Sequence, residues 1–189
     1  MDKISNYENK IEIILKEITD TFSQINRKEV EQLINSIKSA EKVYITGVGR
    51  VLLSMQSVIK RFTHVGIEAY YVGQLDEPPA TERDILIAAS NSGESVIPSG
   101  ITLKAKSLGL KVVYIGSSPD STIGKLADIR VMIPVSNKFY QNAVIKSEQP
   151  MTSLFEQILL LLGDAIAMVI IDENNIKGIN NWNIHANLE

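Results

Sequence analysis

Ser90, Asn91, Ser92, Gly93, Glu94 and Ser95 stand together between two segments of opposite character. Ile85 to Ala89 before them is an apolar run of strand length, and Val96 to Leu108 after them suits a helix. Strand, short hydroxyl-rich turn and helix together make an anion site. The first turn of a helix has N–H groups without intrahelical partners and carries the positive end of the macrodipole, so phosphate is favoured there. Gly93 lets the backbone come close to a ligand, and the serines add neutral donors. An ordinary N-cap needs one Ser or Asn; Ser90, Asn91, Ser92 and Ser95 around Gly93 point instead to a phosphate cradle.

A second turn of this kind, Gly47, Val48, Gly49 and Arg50, follows the apolar run Lys42 to Thr46. The dinucleotide fingerprint GxGxxG fails here, because Leu52 holds the third glycine position and no clean acidic residue ends the next strand. A nucleotide-dependent oxidoreductase is therefore a weak reading. The turn suits a small phosphorylated ligand, with Arg50 available for charge-assisted bonds. It equally suits a tight turn with a solvated arginine, and spacing alone does not choose between the two.

The elements that must hold these turns are read from periodicity. Ile11, Ile14, Leu15, Ile18, Phe22 and Ile25 recur at helical spacing across Ile4 to Ile25, and Val30 to Ile37 repeats the pattern. Strands are expected at Lys42 to Thr46, Glu68 to Val72, Ile85 to Ala89, Lys111 to Ile115 and Ile129 to Ile133. Helices are expected at Val51 to His64, Val96 to Leu108 and Thr122 to Leu126, and a long one at Met151 to Ile171. Strands that are almost unbroken apolar runs, alternating with helices, give an α/β fold. The expectation is a three-layer αβα sandwich on a five-stranded parallel, doubly wound, flavodoxin-like sheet. Ligands in such sheets bind beyond the carboxyl ends of the strands, where the loops at 47, 90 and 116 fall.

The 189 residues, 44% of them hydrophobic, suffice for one domain over 1–189. Residues 1–40 would be N-terminal helices serving oligomerisation, and 172–189 a polar tail anchored by Trp182. A net charge of −3 and the lack of a basic block argue against nucleic acid. No cysteine occurs, which removes thiolate catalysis and thiolate metal sites, and the two histidines show no HxH or HExxH spacing. No metal or cofactor is expected. The polar start MDKISNYENK is not a signal peptide, and Ile158 to Ile171, broken by Asp164, falls short of the roughly 20 residues that span a bilayer. A soluble cytoplasmic protein, without nucleic-acid or membrane partners, is the expectation.

The SNSGES loop after a strand, with GVGR after the first strand, resembles the sugar isomerase (SIS) domain. More narrowly, SSPDSTIGKLAD, EQPMTSLFEQ and the terminal HANLE resemble the 6-phospho-3-hexuloisomerases, over essentially the whole chain. That resemblance implies a metal-independent isomerase that interconverts a 3-keto-hexose 6-phosphate and fructose 6-phosphate. It implies that Ser90, Ser92 and Ser95 hold the phosphate, faced by Gly47, Gly49 and Arg50. Glu156 and His185 become the acid/base candidates, in a tetramer whose sites are shared so that His185 can act in trans. Two positions depart from the family pattern. Val51 replaces the usual serine after the glycine turn, and Leu75, Asp76, Glu77, Pro78, Pro79 replace a Thr-Thr-Pro segment.

Moving a carbonyl between adjacent carbons needs a base, an acid and hydrogen bonds to the enediolate. Glu156 fits the base by resemblance, and it would also suit the first turns of its helix for the dipole alone. Glu148, in the loop leading into that helix, is the second candidate. His185 or His64 could open or protonate the sugar, although His64 ends an apolar helix face and there suits packing. The alternative from another class is a non-catalytic module that binds a sugar phosphate and regulates a partner, for which Val51 and the 75 to 79 loop are the support.

Overall fold

Ile85 to Ala89 is buried at all five positions, because it forms the middle of a sheet covered on both faces. The computed structural model describes residues 2–137 and 144–173. Within them the chain runs α1 (Lys3–Gln24), α2 (Arg27–Ser39), β1 (Val43–Thr46), α3 (Gly49–His64), β2 (Ala69–Tyr71), β3 (Ile85–Ala89) and α4 (Val96–Ser107). It continues through β4 (Lys111–Gly116), α5 (Thr122–Leu126), β5 (Ile129–Met132) and α6 (Ser153–Glu173). The five strands lie in the order β2-β1-β3-β4-β5, and every pairing is parallel.

Strand side chains alternate between two apolar layers. Val43, Ile45, Ile85, Ile87, Val113 and Ile115 face the layer that holds α1, α2, α3 and α6. Tyr44, Leu86, Ala88, Val112 and Tyr114 face the layer that holds α4 and α5. From β1 the chain winds outward to β2 and then returns past β1 to β3, so the crevice between the carboxyl ends of β1 and β3 is the switch point of the sheet. The doubly wound sandwich expected from periodicity is the one observed.

Three helix starts differ from those expectations by two residues or more, the first being α2, which begins at Arg27 where the Asn26 side chain caps it. α3 begins at Gly49, so Arg50 belongs to its first turn. α6 begins at Ser153, because Met151 adopts φ +57°, a left-handed backbone that cannot continue a helix. α6 is also long and apolar enough to cross a membrane by length and composition, contrary to the short run read from the sequence. More than half of that stretch is buried inside the fold, with Phe155, Ile158, Leu159 and Ile166 in the core, which makes it a core helix. α6 approaches α3 closely at Gly163: a Cβ there would sit 2.3 Å from Val58 Cγ2.

Candidate active site

The turn after β1 and the turn after β3 touch. A Cβ on Gly47 would lie 3.4 Å from the carbonyl of Ala89, in ordinary contact across the strand ends, and 3.1 Å from Val51 Cγ1, which would have to give by a few tenths of an ångström. Val51 is itself buried, turned into the core behind that glycine. The position that departs from the family pattern therefore fills space under the site. The other departure, the 75 to 79 loop, spends its carboxylates on itself: Asp76 accepts from Gln74 Nε2 at 2.9 Å, and Glu77 from the Gly73 N–H at 2.8 Å.

In the serine loop the Gly93 N–H donates to Ser90 Oγ at 3.1 Å, and the Glu94 N–H donates to Ser92 Oγ at 3.3 Å. Ser90 Oγ and Ser95 Oγ lie 3.4 Å apart. Ser95 is the N-cap residue of α4, yet its side chain accepts no hydrogen bond from the helix. A plain cap would do so, and its hydroxyl joins the loop instead. Gly93, at φ +67°, has no room for a side chain: a Cβ would stand 2.0 Å from Ser121 Oγ and 2.7 Å from the Tyr114 hydroxyl. Burial pushes the Tyr114 phenol up in pKa, so it stays protonated beneath the loop.

Asn91 belongs to the support of this loop. Its Oδ1 accepts from Ser117 Oγ at 2.5 Å, and its carbonyl accepts from the Ser117 N–H at 3.0 Å and from Asn137 Nδ2 at 3.2 Å. Glu94 turns toward α5, accepting from the Thr122 N–H at 2.9 Å and Thr122 Oγ1 at 2.8 Å. Those two bonds hold its carboxyl below the ordinary range.

On the α3 and α6 side, Arg50 Nε donates to Glu156 Oε2, and Thr152 Oγ1 donates to Glu156 Oε1 at 2.7 Å. The Glu156 side chain is 6% exposed and that of Arg50 67%, so the guanidinium reaches from the buried carboxylate into solvent. Arg50 lies three residues past Gly47, at the same strand ends as the serine loop. The structure thus brings Gly47, Gly49, Arg50, Ser90, Ser92, Gly93, Ser95 and Glu156 to one edge of the sheet.

His64 is placed elsewhere, while Glu148 stands in the loop that enters α6. The Glu148 N–H is tied to Glu17 of α1 at 2.6 Å and its side chain is exposed. His64 closes α3 at the far end, about 21 Å along the helix from Arg50 at 1.5 Å per residue. His185, with Trp182 and the tail, lies outside the described residues. Sequence reasoning passed over Thr152, although its place four residues before Glu156 is the spacing that joins side chains on a helical turn. It also passed over Asn137 and Ser117, for which no local signal exists, since Asn137 meets Asn91 across 46 residues. Among the described residues no group of three His, Cys, Asp or Glu side chains could hold a metal ion.

The fold and a serine-lined turn at its switch point define a class. The SIS domain model matches residues 36–161, and the chain belongs to that family. Named relatives narrow the comparison. A Bacillus subtilis protein called 3-hexulose-6-phosphate isomerase is 37% identical over 93% of this chain and 95% of its own length. A Mycobacterium gastri protein of the same name is 31% identical over 96% of this chain and 90% of its own. Among solved structures, a Methanococcus jannaschii protein, whose structure was taken to infer 3-hexulose-6-phosphate isomerase function, superposes with a TM-score of 0.80 at 25% identity. That superposition covers 96% of this chain and 99% of the other.

Proposed function

We propose that this protein is a sugar-phosphate isomerase that interconverts 3-hexulose 6-phosphate and fructose 6-phosphate. The observation that carries the reading is the buried Glu156, held between Arg50 and Thr152 at the strand ends where the serine loop lies. Ser90, Ser92, Ser95 and the free N–H groups of the first turn of α4 receive the phosphate. Glu156 removes the proton from C2, next to the C3 carbonyl, and the electron pair moves onto O3 to leave a 2,3-enediolate. Protonation at C3 and transfer of the O2 proton to O3 then place the carbonyl at C2, with no net change in atoms. Arg50 uses Nε on Glu156, and its remaining N–H donors face solvent, free for the charge that develops on oxygen. His185 is the proposed acid that serves the sugar oxygens, supplied by a neighbouring subunit of a tetramer.

The sensing-module alternative loses its two supports, since Val51 is buried and the 75 to 79 carboxylates bond within their own loop. The test is direct. The purified protein should turn over fructose 6-phosphate in a coupled assay; binding without turnover would restore the module reading. Glu156→Gln keeps size and much of the hydrogen bonding but accepts no proton, so kcat should fall by about 10²–10⁴ with little change in binding. If Glu156 only complements the helix dipole, the same variant loses about 0.3–1 kcal/mol of stability and keeps its turnover. Measuring kcat and thermal stability together decides.

A further inference from the structure

We propose that Glu17, on the helix ahead of the sheet, is a positioning residue for Glu156: its carboxylate clasps residues 147–149 and fixes the strained turn from which α6 starts. The proposal rests on reading Glu156 as the base. Glu17 Oε2 accepts from Ser147 Oγ at 2.6 Å and from Gln149 Nε2 at 2.9 Å, while Oε1 accepts from the Glu148 N–H at 2.6 Å. Ser147 Oγ in turn accepts from the Gln149 N–H at 3.0 Å. Three consecutive residues therefore donate to one carboxylate, and none can slide without breaking a charge-assisted bond.

What the clasp holds leads straight to the base. Met151 sits at φ +57° and is 96% exposed, so its own side chain has no packing to keep it in a left-handed backbone. Beside it Pro150 O accepts from the Ser153 N–H at 3.2 Å and from Ser153 Oγ at 2.8 Å. The next residue, Thr152, makes two contacts with Glu156: its hydroxyl reaches Oε1, and its carbonyl accepts the Glu156 N–H at 3.1 Å. A strained residue next to a catalytic carboxylate persists only if its surroundings over-determine it. Glu17 supplies the restraint from outside residues 36–161, the span the SIS domain model matches. Burial pushes its carboxyl up, and the bonds from Ser147, Glu148 and Gln149 outweigh that and hold it below the ordinary range. It is thus ionised and acceptor-only at neutral pH, as three donors require.

The competing account is that Glu17 merely docks α1. The two separate on kinetics. In the full chain, Glu17→Ala should lower kcat by about ten-fold or more while KM stays within about two-fold, because orientation of the base is lost and sugar-phosphate binding is not. Ser147→Ala should move kcat the same way by less, and the double variant should fall short of the sum of the two, since both remove the Ser147–Glu17 contact. Hydrogen exchange at the amides of Glu148 and Gln149 should quicken. Faster exchange with unchanged kcat, or equal losses in kcat and binding, would overturn the proposal and leave Glu17 a docking residue. Should Glu17→Ala fail to fold, Ser147→Ala, which removes a single hydroxyl, decides by the same criteria. Glu156→Gln run alongside separates the failures: an active Glu156→Gln sinks the base reading itself, whereas an inactive one beside a normal Glu17→Ala sinks only the clasp.

Discussion

Ser90 and Ser92 each accept a backbone N–H within the loop, from Gly93 and from Glu94, and so both shape the turn and leave their own O–H protons for a ligand. Ser90→Ala with Ser92→Ala should weaken sugar-phosphate binding by about 1–3 kcal/mol, the range for hydrogen bonds to a charged group, with the fold intact. Unchanged affinity in calorimetry would reject the cradle. These serines were legible in the sequence because strand, turn and helix are contiguous and each signals locally. The Arg50–Glu156 pair was legible only as two separate candidates, since they stand 106 positions apart and no spacing rule joins them. Asn91, read as part of the cradle from its place in the same loop, is also bonded through Oδ1 and its carbonyl to Ser117 and Asn137, partners that only the folded sheet brings near.

At the scale of elements, Glu94 ties the serine loop to the start of α5. Its folded pKa lies below the ordinary 4.5, so the tie stabilises fully above that pH and is lost as the pH falls through the lower folded value. The difference in melting temperature between wild type and Glu94→Gln should hold constant from neutral pH down to about 4.5 and shrink below it. A difference that grows on acidification would contradict the tie. All five strands and the flanking helices were legible, because apolar runs and helical periodicity report burial directly. The start of α6 was not. Met151, an unbranched residue with good helix propensity, gives no sign of the left-handed turn that the neighbouring loop imposes.

The whole molecule leaves apolar side chains uncovered on the α1 and α6 layer: Ile4, Tyr7 and Leu15 of α1 and Met168 of α6 are each about 60% exposed or more. A monomer would present these to water, and a closed, symmetric assembly would bury them. We expect light scattering to give the mass of four chains, and a mass of one chain would contradict this. The sequence announced an amphipathic helix at Ile4 to Ile25 and a nearly all-apolar one at Met151 to Ile171. Which of their faces the sheet leaves open became legible only with the packing of α1 and α6.

The close approach of α3 and α6 at Val58 and Gly163 lies about 11 Å below Arg50 and Glu156, because each contact residue follows its active-site partner by roughly two helical turns. Two parallel helices pinned there act as a caliper, and the thickness at the pin sets the gap at the jaws. Evolution can then retune the jaws without touching them. Across relatives, the sizes of positions 58 and 163 should trade off, a bulkier residue at one accompanied by a smaller one at the other. An alignment in which the two positions vary independently would show that the caliper is not under selection.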